Sequence, residues 1–186
     1  MKPLFTFILI FLSYLFGCVN GAYYVGKLAV NQDIRKLGST NAGARNAGRV
    51  LGRSAFIYTV IIDALKTIIP LLIAGYVFTV SSFLLGCAAL AVLVGHIWPV
   101  QLQFRGGKGV VVYLAAALVL TPLTLIATGV NLLIGLCLKR SFTIAGLAAL
   151  AIIPITLLII SEYILFGIFL LMLIIVLLLH RKGEPR

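Results

Sequence analysis

The stretch 109-GVVVYLAAALVLTPLTLIATGVNLLIGLCLKR-140 decides the topology of this chain. Its apolar part, 110–138, is longer than the roughly 20 residues of one spanning helix, and 121-TP-122 interrupts it where proline brings no backbone donor. Read as one span, it places Lys139 and Arg140 across the membrane from Arg105 and Lys108. Read as two segments, about 109–120 and 122–138, it returns all four cations to one side, as the positive-inside tendency favours. The first segment is short for a full crossing and needs neighbouring protein over its end.

Working outward, residues 4–25, 54–78, 82–104, 142–160 and 163–180 each read as one span. The fold class is therefore an all-α integral membrane protein of about seven transmembrane or partly spanning helices, N-terminus outside and C-terminus cytoplasmic. Thirteen of the fifteen Lys and Arg residues then fall on the cytoplasmic side, all but Lys2 and Lys66. The internal loops are short, so residues 1–186 form a single polytopic domain whose site must be built from helix ends. The first apolar stretch continues through Tyr23 to Val25. Ser13, Gly17 and Gly21 recur in it every four residues, a stripe of small side chains suited to close helix packing, so the segment is retained rather than cleaved.

Composition agrees. Hydrophobic residues make up 62% and charged residues 10%, against about 25% charged in soluble domains. A net charge of +11 would point a soluble chain towards nucleic acid. Here topology and anionic lipid account for it, and there is no basic tail, so nucleic acid is excluded. Cys18, Cys87 and Cys137 stand singly in apolar runs, which gives neither a disulfide framework nor metal-ligand spacing; packing is their expected role.

Two polar segments have the composition of anion sites, 38-GSTNAGARNAGR-49 and 105-RGGKG-109. Glycines let successive N–H groups converge on an oxyanion, and Lys or Arg adds full charge. Ser39, Thr40 and Asn41 are suitable N-caps for a short helix from about residue 42 to 51, on which Arg45 and Arg49 share a face. A solvated interfacial loop touching lipid head groups fits this spacing equally. The 105–109 loop lacks the spacing and hydroxyl of a nucleotide-binding P-loop. His96, near the cytoplasmic end of its span, is an ionisable group at membrane depth and so a functional candidate, with no metal-ligand partner at suitable spacing. Asp63 and Lys66, three apart inside the second span, can neutralise each other, either tying helices together or touching substrate.

Four groups of residues occur in a fixed order: Ser13, Phe16 and Gly17; 33-DIRKLGSTNAGARNAGRVLG-52; Asp63, Leu65 and Lys66; and 95-GHIWPVQLQFRGGKGV-110. In length, segment order and motif order the chain resembles the bacterial acyl-phosphate:glycerol-3-phosphate acyltransferase family, PlsY. The resemblance implies a multi-pass protein of the bacterial inner (plasma) membrane with its active site facing the cytoplasm. It implies acyl transfer from acyl phosphate to the sn-1 hydroxyl of glycerol 3-phosphate, giving lysophosphatidic acid and phosphate for phospholipid synthesis.

Carried onto matching positions, Ser39, His96 and Lys108 are catalytic candidates. Asn41, Asn46, Arg49, Arg105, Gly106, Gly107, Thr143, His180 and Glu184 are candidates for holding substrate or phosphate, and Asp63 and Lys66 for supporting the site. Gly106 and Gly107 would offer backbone N–H groups, and Ser39 with its neighbouring amides would polarise the acyl carbonyl. The base is either His96, with an ordinary pKa of about 6.5, or the leaving phosphate. No metal or organic cofactor is implied. The partners are the two substrates and membrane lipid, and a monomer is expected.

The chain departs from the family pattern at three places. Thr40 stands where glycine is usual, Thr143 and Gly146 stand where serines are typical, and 183-GE-184 follows Lys182 where Asn and a basic stretch are usual. A divergent member with an altered acyl donor or acceptor is the alternative. A lipid or anion transporter would need a polar path to the other face, and beyond Asp63 and Lys66 there is little.

Overall fold

An apolar run in lipid can satisfy its backbone only by closing its own hydrogen bonds, so the long hydrophobic stretches become helices. The computed structural model describes residues 3–181, and every regular element among them is helical. Five stretches are long and apolar enough to cross a membrane: Pro3–Val30, Arg53–Val77, Ser82–Leu102, Phe142–Ile159 and Tyr163–Arg181. Between the third and fourth lie two shorter apolar helices, α6 (Val110–Leu120) and α7 (Thr124–Cys137), separated at 121–123. The break has a local cause. Pro122 cannot donate, and the hydroxyls of Thr121 and Thr124 turn back onto the carbonyls of Ala117 and Thr121.

Two expected single helices are broken. The first stretch divides into α1 (Pro3–Cys18) and α2 (Gly21–Val30), because the Asn20 side chain accepts the Tyr23 N–H and caps a new helix. The fourth divides into α8 (Phe142–Leu150) and α9 (Ile152–Ile159). Pro154 cannot donate to the Leu150 carbonyl four residues back, and the Tyr113 hydroxyl takes that acceptor instead at 3.2 Å. The helix α4 (Arg53–Leu72) ends in a wider turn, Ile73–Val77, and α5 (Ser82–Ile97) stops before Pro99, short of residue 104.

α1 packs along α5 at backbone distance. A Cβ added at Gly17 would lie 2.2 Å from the Val92 carbonyl oxygen, and one at Gly95 2.2 Å from that of Tyr14. Gly21, beyond the break, packs instead on Thr59 of α4, so the predicted stripe of small residues serves two partners. The main core joins α5, α6, α9 and α10 (Tyr163–Arg181) around Leu93, Tyr113, Ile153 and Phe169, the two rings meeting edge to face at 5.4 Å. Cys18 is buried and Cys87 half-buried, but Cys137 lies exposed on α7, a correction to its expected packing role.

Polar segments gather at one end of this bundle. Arg35 reaches the Leu102 carbonyl, Arg45 reaches Thr143, and His180 lies within electrostatic reach of Lys108 and Arg45. Lys108 and Arg45, the partner of Thr143, both act electrostatically on His180 although the whole of α6 and α7 separates Lys108 from Thr143, so residues 110–138 travel away and double back.

Candidate functional site

The break between α1 and α2 frees backbone groups at membrane depth, and polar side chains from other segments, the buried Asp63 and Lys66 and the exposed Gln101, take them up. Asp63 accepts the Gly21 N–H at 3.1 Å, Lys66 donates to the Val19 carbonyl, and Gln101 donates to that of Cys18. Lys66 also lies 2.9 Å from the Asp63 carboxylate and 2.8 Å from Nδ1 of His96. All three ionisable residues are buried. An ammonium has three protons and no acceptor, and here it has three partners: a carboxylate, a carbonyl and an imidazole nitrogen. Nδ1 of His96 must therefore accept, which places the ring proton on Nε2.

That Nε2 faces the glycine loop. A Cβ at Gly107 would lie 2.3 Å from it, and a Cβ at Gly106 would lie 2.0 Å from the His96 carbonyl oxygen. Glycine is required at both positions because the loop folds directly against His96. The expected use of their N–H groups is corrected: Gly106 donates to the Ile97 carbonyl at 2.9 Å and Gly107 to that of His96 at 3.1 Å. The loop is a lining that seats His96 rather than an amide nest. Lys108, half-buried, follows directly, and Gly109 turns the chain into α6 at a φ of 85°. Arg105 is exposed on the same loop.

The other segment is also arranged differently from the expectation. The helix α3 (Ala44–Leu51) is capped by Gly43 with no side-chain bond, not by Ser39, Thr40 or Asn41. Asn46, expected at the substrate, is buried and engaged: its amide donates to the Ile34 and Leu37 carbonyls and its oxygen accepts the Ser39 N–H at 2.8 Å. It fastens the loop to α3. With the Thr40 N–H held by the Leu37 carbonyl, the amides of residues 39 and 40 are occupied, whereas the Ser39 side chain and the Asn41 amide lie at the half-buried rim. Asn41 folds over Gly43, where its Nδ2 would lie 2.7 Å from an added Cβ. Thr40 sits at a φ of 59°, a left-handed conformation that costs an L-residue about 1–2 kcal/mol and a β-branched one at least that.

The loop is stapled from outside by Asp33 and Arg35. Asp33 accepts from the Arg35 backbone N–H and from Nε and Nη2 of its guanidinium, while Nη1 donates to Leu102 and Tyr23 stacks beneath the cation at 5.5 Å. These bonds from Arg35 hold the Asp33 carboxyl below its ordinary range, and Asp33 in turn raises Arg35. Sequence spacing gave no sign that this pair reaches the 100–104 segment.

At the mouth, α3 presents Arg45 and Arg49 one turn apart, both exposed. Thr143, in the first turn of α8, accepts from Arg45 at 2.6 Å. His180, near the end of α10, fixes its Nδ1 on the Val176 carbonyl at 2.8 Å. The structure thus brings Lys108, Thr143 and His180 to the neighbourhood of α3, while Glu184 lies outside the described residues.

The sequence profile of the glycerol-3-phosphate acyltransferase family matches residues 7–186. Glycerol-3-phosphate acyltransferase 1 of Bacillus thuringiensis subsp. konkukian is 38% identical over 178 residues, covering 96% of this chain and 97% of that protein. The protein of the same name from Desulfitobacterium hafniense is 41% identical over 151 residues, covering 81% and 74%. A crystal structure of PlsY, an integral membrane glycerol 3-phosphate acyltransferase, in its glycerol 3-phosphate form superposes with a TM-score of 0.86 at 28% identity, covering 95% of this chain and 88% of that one. Its lysophosphatidic acid form gives 0.84 at 27%.

Proposed function

The chain belongs to the glycerol-3-phosphate acyltransferase family, and from that membership we propose that it transfers a fatty acyl group from acyl phosphate to the sn-1 hydroxyl of glycerol 3-phosphate. The products are lysophosphatidic acid and phosphate. The observation that carries this reading is the basic end of the bundle, where Arg45 on α3 and Lys108 both lie within electrostatic reach of His180 and Arg49 follows one turn after Arg45, next to Ser39, Asn41 and His96. Of the acidic residues described, Asp33 is taken by Arg35, Asp63 by Lys66, and Glu162 precedes α10 at its far end. A phosphate monoester matches the positive sign of this end of the bundle. α3 also opens without a side-chain cap, so its first N–H groups favour an anion.

The hydroxyl oxygen of glycerol 3-phosphate attacks the acyl carbonyl carbon, a tetrahedral oxyanion forms, and the bond from that carbon to the phosphate oxygen breaks. Arg49 and Lys108 hold phosphate and offset the charge that grows on it. Ser39 Oγ and the Asn41 amide face the oxyanion, a duty for which the bonded N–H groups of residues 39 and 40 are unsuited. His96 presents a proton at Nε2, because Lys66 occupies Nδ1. It is a donor and a wall for the substrate, and the hydroxyl proton passes to the leaving phosphate. Acyl phosphate is already activated, so no acyl-enzyme is required.

Seven segments cross or partly cross the bacterial inner membrane as one domain, with the basic end in the cytoplasm, the N-terminus outside and the C-terminus inside. The donor's hydrocarbon tail stays in the bilayer while its head enters between the loops, and the working unit is a monomer. Purified protein in lipidic mesophase, given glycerol 3-phosphate with palmitoyl phosphate, palmitoyl-CoA or palmitoyl carrier protein in turn, tests the donor. Lysophosphatidate from palmitoyl phosphate alone is expected; equal product from a thioester would overturn the assignment.

A further inference from the structure

Arg45 is left over when the residues above are given their roles. It is exposed, it lies one turn before Arg49 on the same face of α3, and the one hydrogen bond described for it runs 98 positions along the chain to Thr143. No carboxylate among the described residues pairs with it: about 27 Å of α10 separate Glu162 from His180, and Asp33 and Asp63 are engaged. Yet it lies, like Lys108, within electrostatic reach of His180. A guanidinium held by one neutral hydroxyl at this basic end of the bundle is placed for a dianion that arrives later.

The Thr143 hydroxyl shows how. Its oxygen accepts from Arg45 Nη1 at 2.6 Å, which leaves the hydroxyl proton to donate elsewhere. Four further guanidinium N–H groups of Arg45 are likewise available to a planar, bidentate partner. Hydroxyl and guanidinium can therefore address one phosphate together, with α3 and α8 supplying one each. Among the described residues no atom lies within 4 Å of a Cβ added at Gly146, one turn on from Thr143, which leaves room on this side of α8 for a ligand.

We propose that Arg45, steadied by Thr143, is a second guanidinium of the phosphate site and sets how tightly a phosphate monoester is held there. This rests on the acyl-transfer reading for the identity of the substrates but not for the presence of an anion. Arg45 is a binding and specificity residue, not a proton carrier, so its loss weakens binding more than turnover.

The test compares the full-length parent with Arg45→Gln, Arg45→Lys and Thr143→Val. Loss of a charge-assisted bond predicts a KM about 10- to 100-fold higher in Arg45→Gln for one phosphate substrate, with kcat nearly unchanged. Arg45→Lys recovers part of this, because it keeps charge but not the fork, and Thr143→Val gives a smaller rise. Whichever of glycerol 3-phosphate and acyl phosphate shows the change identifies the phosphate held. In parallel, inorganic phosphate should raise the melting midpoint of the parent more than that of Arg45→Gln. Equal KM values and equal phosphate shifts in parent and Arg45→Gln overturn the inference and leave the acyl-transfer reading intact. An inactive parent removes that reading, and the phosphate shift then decides the role of Arg45 by itself.

Discussion

Replacing Gly107 by alanine probes the point where the 105–109 loop meets His96. The added Cβ would stand 2.3 Å from His96 Nε2, 2.7 Å from Cε1 and 2.8 Å from the Ala42 carbonyl oxygen, whereas ordinary contact begins at 3.4 Å. Something must move by about 1.1 Å, the difference between 3.4 and 2.3 Å. The ring cannot retreat without leaving Lys66, 2.8 Å from its other nitrogen, and the loop cannot retreat without breaking the Gly107 N–H bond to the His96 carbonyl. A misplacement of that size costs roughly 100-fold in rate, and overpacking a buried site costs about 1–3 kcal/mol of stability. The assay is kcat/KM for lysophosphatidate formation alongside the melting midpoint in detergent. Gly167→Ala is the control, since a Cβ there meets nothing within 4 Å and should stabilise α10 by about 0.5–1 kcal/mol. A Gly107→Ala protein within about threefold of the parent in kcat/KM, with an unchanged midpoint, would refute the reasoning.

Lys66→Met should destabilise the protein by about 3–5 kcal/mol, because a buried carboxylate and the Val19 carbonyl lose their cation, and adding Asp63→Leu should recover part of it; chemical denaturation of both proteins checks this, and a double variant no better than the single one contradicts it. Thr40→Gly removes about 1–2 kcal/mol of left-handed strain against about 0.5–1 kcal/mol for the freedom glycine adds to the unfolded chain, so its midpoint should stay or rise slightly; a clear fall would contradict the φ assigned to residue 40. The Asp33 carboxyl lies below its unfolded value of about 3.9, so its contribution is present above that pH and is lost as pH falls through the folded value. Hydrogen exchange at residues 33–37, corrected for intrinsic rate, should be flat from neutral pH to about 4.5 and rise below about 3.9, and in Asp33→Ala it should be fast throughout; loss of protection between pH 7 and 5 would show another group in control.

What could be read beforehand was what leaves a mark in composition or charge. Pro122 and the cations on either side of residues 110–138 foretold the division into α6 and α7. The break at Val19 and Asn20 left no such mark, since hydropathy does not change across it; it exists because Lys66, Asp63 and Gln101 reach in from distant positions to take the freed backbone groups. Pro154 did carry a sign of the α8 to α9 break, but its tolerance depends on Tyr113, 41 positions earlier, taking the Leu150 carbonyl. Glycine-rich composition was likewise ambiguous at residues 105–109. Glycines that bind an anion through N–H groups and glycines that admit a neighbour look alike in sequence, and here Gly106 and Gly107 admit His96. Asn46 reads as a substrate ligand until its oxygen and both amide protons are found on the loop backbone. A pattern of types and spacings cannot give the Arg45 to Thr143 contact, made across 98 positions.

The most direct measurement of the central claim follows phosphate and lysophosphatidate together from palmitoyl phosphate and glycerol 3-phosphate, in the parent, Arg49→Ala and Lys108→Ala proteins. The account predicts equimolar products from the parent and loss of both in each variant, with the variants still folded by melting. Phosphate released without lysophosphatidate, or full activity retained in both variants, would contradict a phosphate-holding site built from α3 and the 105–109 loop.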